Sequence, residues 1–276
     1  MADYRGKLII SDLDGTFLGD HGRVVPRNVE AVRAFCRGGG RFTFATGRHH
    51  DHLLEAIPEL LSLVNAPAIV ANGAYMYDYP RRLVLHETFM DTDVTRQALL
   101  FARHSFPQVG FRVSTPQGFL TDGRTDYMER FIAYCAEHRA DYTVEVAPVE
   151  RWMQRLWYKV VFRGACEGLD ALAGELREKF GDAFEYNKSS ETFLELQRAG
   201  CSKGTMLRVL RGVCAGLDGV PVTAYAVGDY ENDLTMLAAA DVAVCPANAQ
   251  PRVRELCKMV LCDHDEGAIA DLIERI

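Results

Sequence analysis

The sequence has no apolar run approaching the roughly 20 residues that span a bilayer, and no run of lysine or arginine of the kind that tracks nucleic acid. Its opening residues, MADYRGKLII, lack the long apolar core of a secretory signal, and their short apolar run leads straight into an acidic pair. None of the eight cysteines (Cys36, Cys135, Cys166, Cys201, Cys214, Cys245, Cys257, Cys262) forms a C-x-x-C pair, so neither a zinc ribbon nor a thioredoxin-like motif is present. Several lie in apolar, helix-like or strand-like surroundings, and they are expected to be buried, reduced thiols. There is no internal repeat and no low-complexity segment. These absences predict a cytoplasmic protein that meets neither membrane nor nucleic acid.

What is present fits that expectation. Apolar residues make up 48% and charged residues 25% of 276, the balance of an ordinary soluble globular protein, and the net charge is −7. The length allows one large domain or two smaller ones. Apolar runs of strand length alternate with amphipathic stretches of helix length. KLIISD (7–12), a helix over 28–38, RFTFAT (41–46), a helix near 49–57 and PAIVAN (67–72) give β-α-β-α-β, the pattern of a parallel sheet with helices on both faces. The C-terminal part resumes it with a helix over 203–215, VTAYAVGD (222–229), a helix over 231–240, DVAVC (241–245), a helix over 251–258, MVLC (259–262) and a closing helix over 266–276.

The middle of the chain reads differently. RLVLHETF (82–89), QVGFRVS (108–114), WYKVVFRG (157–164) and TFLELQ (192–197) are expected strands, and 93–105, 124–138 and 168–180 expected helices. Strands here follow one another with turn signals between them. The pattern predicts an α/β core over 1–86 and 196–276, a doubly wound parallel sheet, interrupted by an inserted α+β module over 87–195.

Four short stretches carry chemistry, three of them where an α/β sheet keeps its ligands, beyond the carboxyl ends of strands. The first is Asp12-Leu13-Asp14-Gly15-Thr16. Residues i and i+2 of an extended segment point the same way, so both carboxylates are expected to face one spot; the stretch also reads as a strand-ending turn. The second, Thr46-Gly47-Arg48, offers a hydroxyl and backbone N–H groups to a phosphate oxygen, or a helix N-cap. The third, Ser202-Lys203-Gly204, puts a lysine at a helix N-terminus, against the helix dipole; it is also readable as a solvated lysine. The fourth, GDYENDLTML, sets Asp229 at a strand end, with Asn232 and Asp233 brought to its side as the helix begins, or forms only a favourable acidic first turn.

In this order and placement the four stretches resemble the motifs of the haloacid dehalogenase superfamily of phosphohydrolases, and more narrowly its Cof-type members. VANGA (70–74), ANA (247–249) and DEGAIADLI (265–273) are similar to features of that subfamily. The resemblance covers the core on both sides of the insert, which lies where the subfamily carries an α/β cap. It implies a doubly wound parallel sheet with a mobile cap over its active edge. It further implies a Mg²⁺-dependent phosphatase acting on a small phosphorylated metabolite: sugar phosphates first, then pyridoxal phosphate, flavin mononucleotide or nucleotides.

Carried over by residue, Asp12 matches the nucleophile that becomes an aspartyl phosphate and Asp14 the acid/base. Lys203 and Thr46 match the groups that hold the phosphoryl oxygens; Gly47, Arg48 and Asn232 fall in the same binding set. Asp12, the backbone carbonyl of Asp14, and Asp229 match the Mg²⁺ ligands, with Asp233 orienting water around the ion. Tyr230 stands where relatives often carry glycine, and Cys245-Pro246 where they often carry Met-Gly.

Rival readings remain at this point. A phosphomutase or phosphotransferase would use the same aspartyl phosphate. A receiver domain also gathers carboxylates, Thr and Lys, but is a single shorter domain with its phosphorylated Asp on a later strand. GRHHDH offers His49 and His52 three apart on a helix, without an identifiable third metal ligand. Trp152, Trp157 and Tyr158 are expected in the core of the insert rather than in a pocket.

Overall fold

The computed structural model describes residues 2–138, 143–153 and 155–276. It divides into two compact units, Met1–Glu87 with Ser202–Ile276, and Thr88–Cys201.

The first unit is built on five parallel strands in the order Met259–Val260, Val242–Cys245, Thr223–Val227, Lys7–Ser11, Arg41–Phe44. An antiparallel trio, Ala68–Val70, Tyr75–Asp78 and Leu83–Glu87, continues from the Arg41 edge through a bridge between Ala45 and Ile69. The central strands are buried on both faces, which is why they read as unbroken apolar runs. Leu8 and Ile10 pack with Met206, Leu207 and Leu210 of the Lys203–Asp218 helix. Phe42 and Phe44 pack edge-on to one another and around Phe17. In the Pro26–Arg37 helix, Val29, Val32 and Phe35 recur at helical spacing and are buried, and Pro26 opens it where a missing N–H costs nothing.

Chain order sets where a site can form. The first strand leads to Arg41–Phe44 on one side. The chain then returns, much later, to Thr223–Val227 on the other side. The carboxyl ends of Lys7–Ser11 and Thr223–Val227 therefore flank the point where the winding reverses, the usual ligand crevice of an open α/β sheet.

The second unit is a six-stranded sheet in the order Thr143–Val146, Gly118–Thr121, Gly110–Thr115, Lys159–Arg163, Phe193–Arg198, Phe184–Ser190. It is antiparallel except for its first pair. One face, with Phe111, Val113, Val160, Phe162, Leu194 and Leu196, is covered by the Thr92–Ser105 and Cys166–Phe180 helices. Trp152 and Trp157 are fully buried in that core, and Tyr158 stacks on Phe89. The alternate positions carry buried polar side chains, including a Lys159–Glu195 ion pair at 2.5 Å.

Two sequence expectations are corrected. RLVLHETF supplies a strand of the first unit, not of the insert, because Leu83–Glu87 pairs with Tyr75–Asp78. The far boundary of the insert, expected at 195, falls at 201, because Phe193–Arg198 is bonded on both sides to strands of the second unit. No helix among the described residues is long and apolar enough to cross a membrane.

Candidate active site

Asp12 is the first residue past the opening strand, and its amide donates to the Val227 carbonyl at 2.8 Å. That bond sets it beside Asp229, two residues past the end of Thr223–Val227. The carboxylates of Asp12, Asp229 and Asp233 offer oxygens that all lie within 4.8 Å of one another. Lys203 completes the group: its Nζ donates to Asp12 Oδ1 at 2.6 Å and to Asp233 Oδ1 at 2.7 Å. The lysine is 1% exposed, so the solvated alternative is excluded.

The local chain explains how a lysine comes to be buried there. Ser202 caps the Lys203–Asp218 helix by accepting from the Thr205 amide, which fixes Lys203 as its first residue. Gly204 then lets this helix approach the next one closely: a Cβ at 204 would stand 2.1 Å from the Thr235 carbonyl oxygen. Asp233 is held from below, its Oδ2 accepting from the Asp229 and Tyr230 amides at 3.1 and 3.3 Å. Both of its oxygens are thereby engaged, and its part is to anchor Lys203 and the Asp229 turn.

Asp14 departs from expectation. The strand ends at Ser11, so the alternation that would aim Asp12 and Asp14 at one spot does not reach them. Gly15 takes φ +76°, and the chain turns against Asp229, where a Cβ would sit 2.6 Å from Asp229 Oδ2. Asp14 points to a half-exposed position, gripped by Arg48 through two hydrogen bonds of 2.6 and 2.9 Å.

The remaining expected residues lie around this group. The Thr46 hydroxyl accepts from the Arg48 amide at 3.1 Å, and the following helix, His50–Ala56, is capped by His49 without a side-chain bond. Asn232 donates to Asn72 Oδ1 at 3.3 Å, and Gly47 packs against the same Asn72 amide. Three contributors were missed by sequence reasoning. The Thr16 hydroxyl donates to Asp229 Oδ1 at 2.6 Å, Asn72 joins the second and fourth stretches, and Asn248 donates to the Gly15 carbonyl at 2.8 Å. Each sits inside a quoted motif (DGT, VANGA, ANA); their bonds span more than 150 residues, and no local pattern signals them.

Charge within the group is unbalanced. Burial raises the Asp12 carboxyl well above its ordinary range against the pull of Lys203, and Asp233, Asp229 and Asp14 push it the same way. Burial and then Asp233 push Asp229 up to about 7, against the Thr16 hydrogen bond. For Lys203, burial acts to lower the ammonium, but Asp12 and Asp233 outweigh it and hold it above the lysine range. Three carboxylates facing one ammonium leave an excess equal to the charge of one divalent cation. Asp12 Oδ2 and Asp229 Oδ2 accept no hydrogen bond among the described residues. Hard oxygen donors with that excess fit a Mg²⁺-like ion.

The histidines of GRHHDH form no comparable group among the described residues. His49 and His50 each bring Nδ1 to the Tyr75 hydroxyl, at 3.2 and 3.0 Å, and neither His49 nor His52 belongs to a metal-holding cluster among the described residues.

Residues 9–273 match the family of haloacid dehalogenase-like hydrolases. The chain belongs to that family. It is an enzyme, a hydrolase of the haloacid dehalogenase type, and its curated relatives include phosphatases along nearly its whole length. It is 29% identical to the HMP-PP phosphatase of Serratia proteamaculans over 251 residues, 91% of this chain and 87% of that one. It is 26% identical to the pyridoxal phosphate phosphatase YbhA of Escherichia coli K12, covering 97% of each. In fold it is similar to the crystal structure of a haloacid dehalogenase-like hydrolase from Bacteroides thetaiotaomicron, with a TM-score of 0.80 at 23% identity and 99% of both chains covered.

Proposed function

We propose that this hydrolase is a Mg²⁺-dependent phosphomonoesterase that releases phosphate from small phosphorylated metabolites by way of a phosphoryl group carried on Asp12. The observation that carries the reading is the buried Lys203 ammonium bridging Asp12 and Asp233, with Asp229 alongside, at the reversal of the sheet.

Lys203 fixes the orientation of the Asp12 carboxylate, which attacks phosphorus. As that bond forms, the bond to the leaving alkoxide breaks, and Asp14 gives this oxygen a proton. To do so Asp14 exchanges its Arg48 partner for the substrate, whose phosphoryl group draws the guanidinium to itself. Lys203, the Thr46 hydroxyl and the N–H groups at Gly47 and Arg48 take the charge that develops on the phosphoryl oxygens, and Asn232 positions the group from the other side. Asp14 then takes a proton from water, which attacks phosphorus, frees inorganic phosphate and restores the Asp12 carboxylate. Asp12, Asp229 and the Asp14 carbonyl would hold Mg²⁺, with Asp233 fixing the turn that presents Asp229. A bound divalent cation lets an anionic nucleophile meet an anionic substrate.

The named relatives support small phosphate esters as substrates. Sugar phosphates and pyridoxal phosphate head the set to be tested, with flavin mononucleotide and nucleotides behind. Eight free thiols support a reducing, cytoplasmic setting. The test is a panel of phosphorylated metabolites with Mg²⁺, ranked by kcat/KM. Phosphate release from at least one ester, absent in Asp12→Asn, is expected; no release across the panel, or equal rates in Asp12→Asn, would sink the reading.

A further inference from the structure

The turn over 46–48 offers its hydroxyl and N–H groups to a phosphoryl group, yet the helix that follows does little to secure it. That helix, His50–Ala56, has seven residues and no side-chain bond at its N-cap, His49. The turn is held instead by the neighbouring hairpin over 68–78. The Thr46 amide donates to the Ile69 carbonyl, the Asn72 amide to the Thr46 carbonyl and the Ala71 amide to the Arg48 carbonyl, each at 2.9 Å. Ala71 and Asn72 make these bonds at φ +49° and +54°, left-handed backbone that residues other than glycine adopt at a cost. Side chains of the hairpin then reach the next two residues. Tyr75 is 1% exposed, and its hydroxyl meets His50 Nδ1 at 3.0 Å and His49 Nδ1 at 3.2 Å and accepts from the His50 amide at 3.4 Å. A tyrosine hydroxyl has one proton to give, so at least one of the two imidazoles donates its Nδ1–H to Tyr75. The Tyr79 hydroxyl donates to the His50 carbonyl, and the His50 ring stacks on Tyr77 at 4.0 Å.

We propose that Tyr75 is a positioning residue for the phosphoryl site: through His49 and His50, the two residues that directly follow Arg48, its hydroxyl fixes the Gly47–Arg48 turn where that turn meets the phosphoryl group. The inference rests on the phosphatase reading of the turn. Backbone N–H groups and a guanidinium hold an oxyanion by direction as well as by charge, so a small displacement of the turn loses hydrogen bonds to the anion. Tyr75→Phe keeps the buried ring and removes only the oxygen to which both imidazoles are tied.

The full native chain and Tyr75→Phe, each folded by circular dichroism, are compared with Mg²⁺ in two readouts. One is KM for an ester that the native chain hydrolyses; the other is the Kd of inorganic phosphate by calorimetry. Both are expected to rise at least about tenfold in Tyr75→Phe, the worth of one hydrogen bond to a charged group. A tyrosine that only supported the fold would reduce the active fraction, so that kcat falls while KM and Kd stay native. That outcome would overturn the proposal, as would a variant indistinguishable from the native chain. If Tyr75→Phe does not fold, His50→Ala carries the same test, and His50→Asn, whose amide stands near the place of Nδ1, should recover most of both constants. His50→Ala with native KM and Kd would overturn the proposal too. A native chain that binds phosphate but hydrolyses no ester would count against the phosphatase reading and leave the Kd comparison to decide the part of Tyr75; a native chain that binds no phosphate would overturn both.

Discussion

At the scale of single residues, the protein turns on one buried lysine. Lys203 opens a helix, where its charge opposes the dipole by about 0.3–1 kcal/mol. Two ion pairs below 2.8 Å outweigh that, and removing the lysine would strand the buried carboxylates of Asp12 and Asp233 beside half-buried Asp229. Lys203→Ala is expected to destabilise the fold by about 3–5 kcal/mol in urea unfolding without metal. Added Mg²⁺ should return part of the loss, because the cation supplies the missing charge; a loss under ~1 kcal/mol would mean the cluster is already neutral. Asp12→Asn should keep the fold, by circular dichroism, while turnover falls at least about a thousandfold, as when a nucleophile is removed. Most of these residues were legible in the sequence, because DLDGT, SKG and GDYEND carry their chemistry within a few positions. The Asp14–Arg48 pair was not legible: its partners lie 34 residues apart and meet only once the strand ends at Ser11.

At the scale of elements, the site depends on how closely two helices approach. Gly204 faces the Thr235 carbonyl with no room for a methyl group, and this contact sets Lys203 beside Asp233. Gly204→Ala is therefore expected to cost about 1–3 kcal/mol of stability in chemical denaturation, as overpacking does. It should also lower kcat, since Lys203 is pushed off its partners; a variant with unchanged stability and rate would show that the helices can part freely. The strands that build the central sheet were readable as apolar runs. Phe184–Ser190 was not: FEYNKSS is largely polar and half-buried at a sheet edge, so no alternation marks it. The helix expected over 231–240 is in fact a short 3-10 turn, Glu231–Asp233, before Leu234–Ala239, because Asp233 spends its side chain on the Asp229 and Tyr230 amides.

At the scale of the whole molecule, two compact units share one chain, and every expected site residue lies in the first, brought together from both of its segments. Asp12, Thr46, Lys203 and Asp229 are contributed on either side of an excursion of more than a hundred residues, so stability of this unit should be linked to the ion proposed for it. Added at about a hundred times its Kd, Mg²⁺ should stabilise the EDTA-stripped protein by about 2.7 kcal/mol, seen as a rise in the unfolding midpoint. EDTA should abolish turnover and Mg²⁺ restore it; full activity in EDTA would exclude the ion. The central claim is that Asp12 carries the phosphoryl group, and acid quenching during turnover followed by peptide mapping tests it most directly. The account predicts a phosphorylated peptide containing Asp12, absent in Asp12→Asn; brisk turnover with the label on another residue, or with Asp12→Asn as active as the native chain, would contradict it.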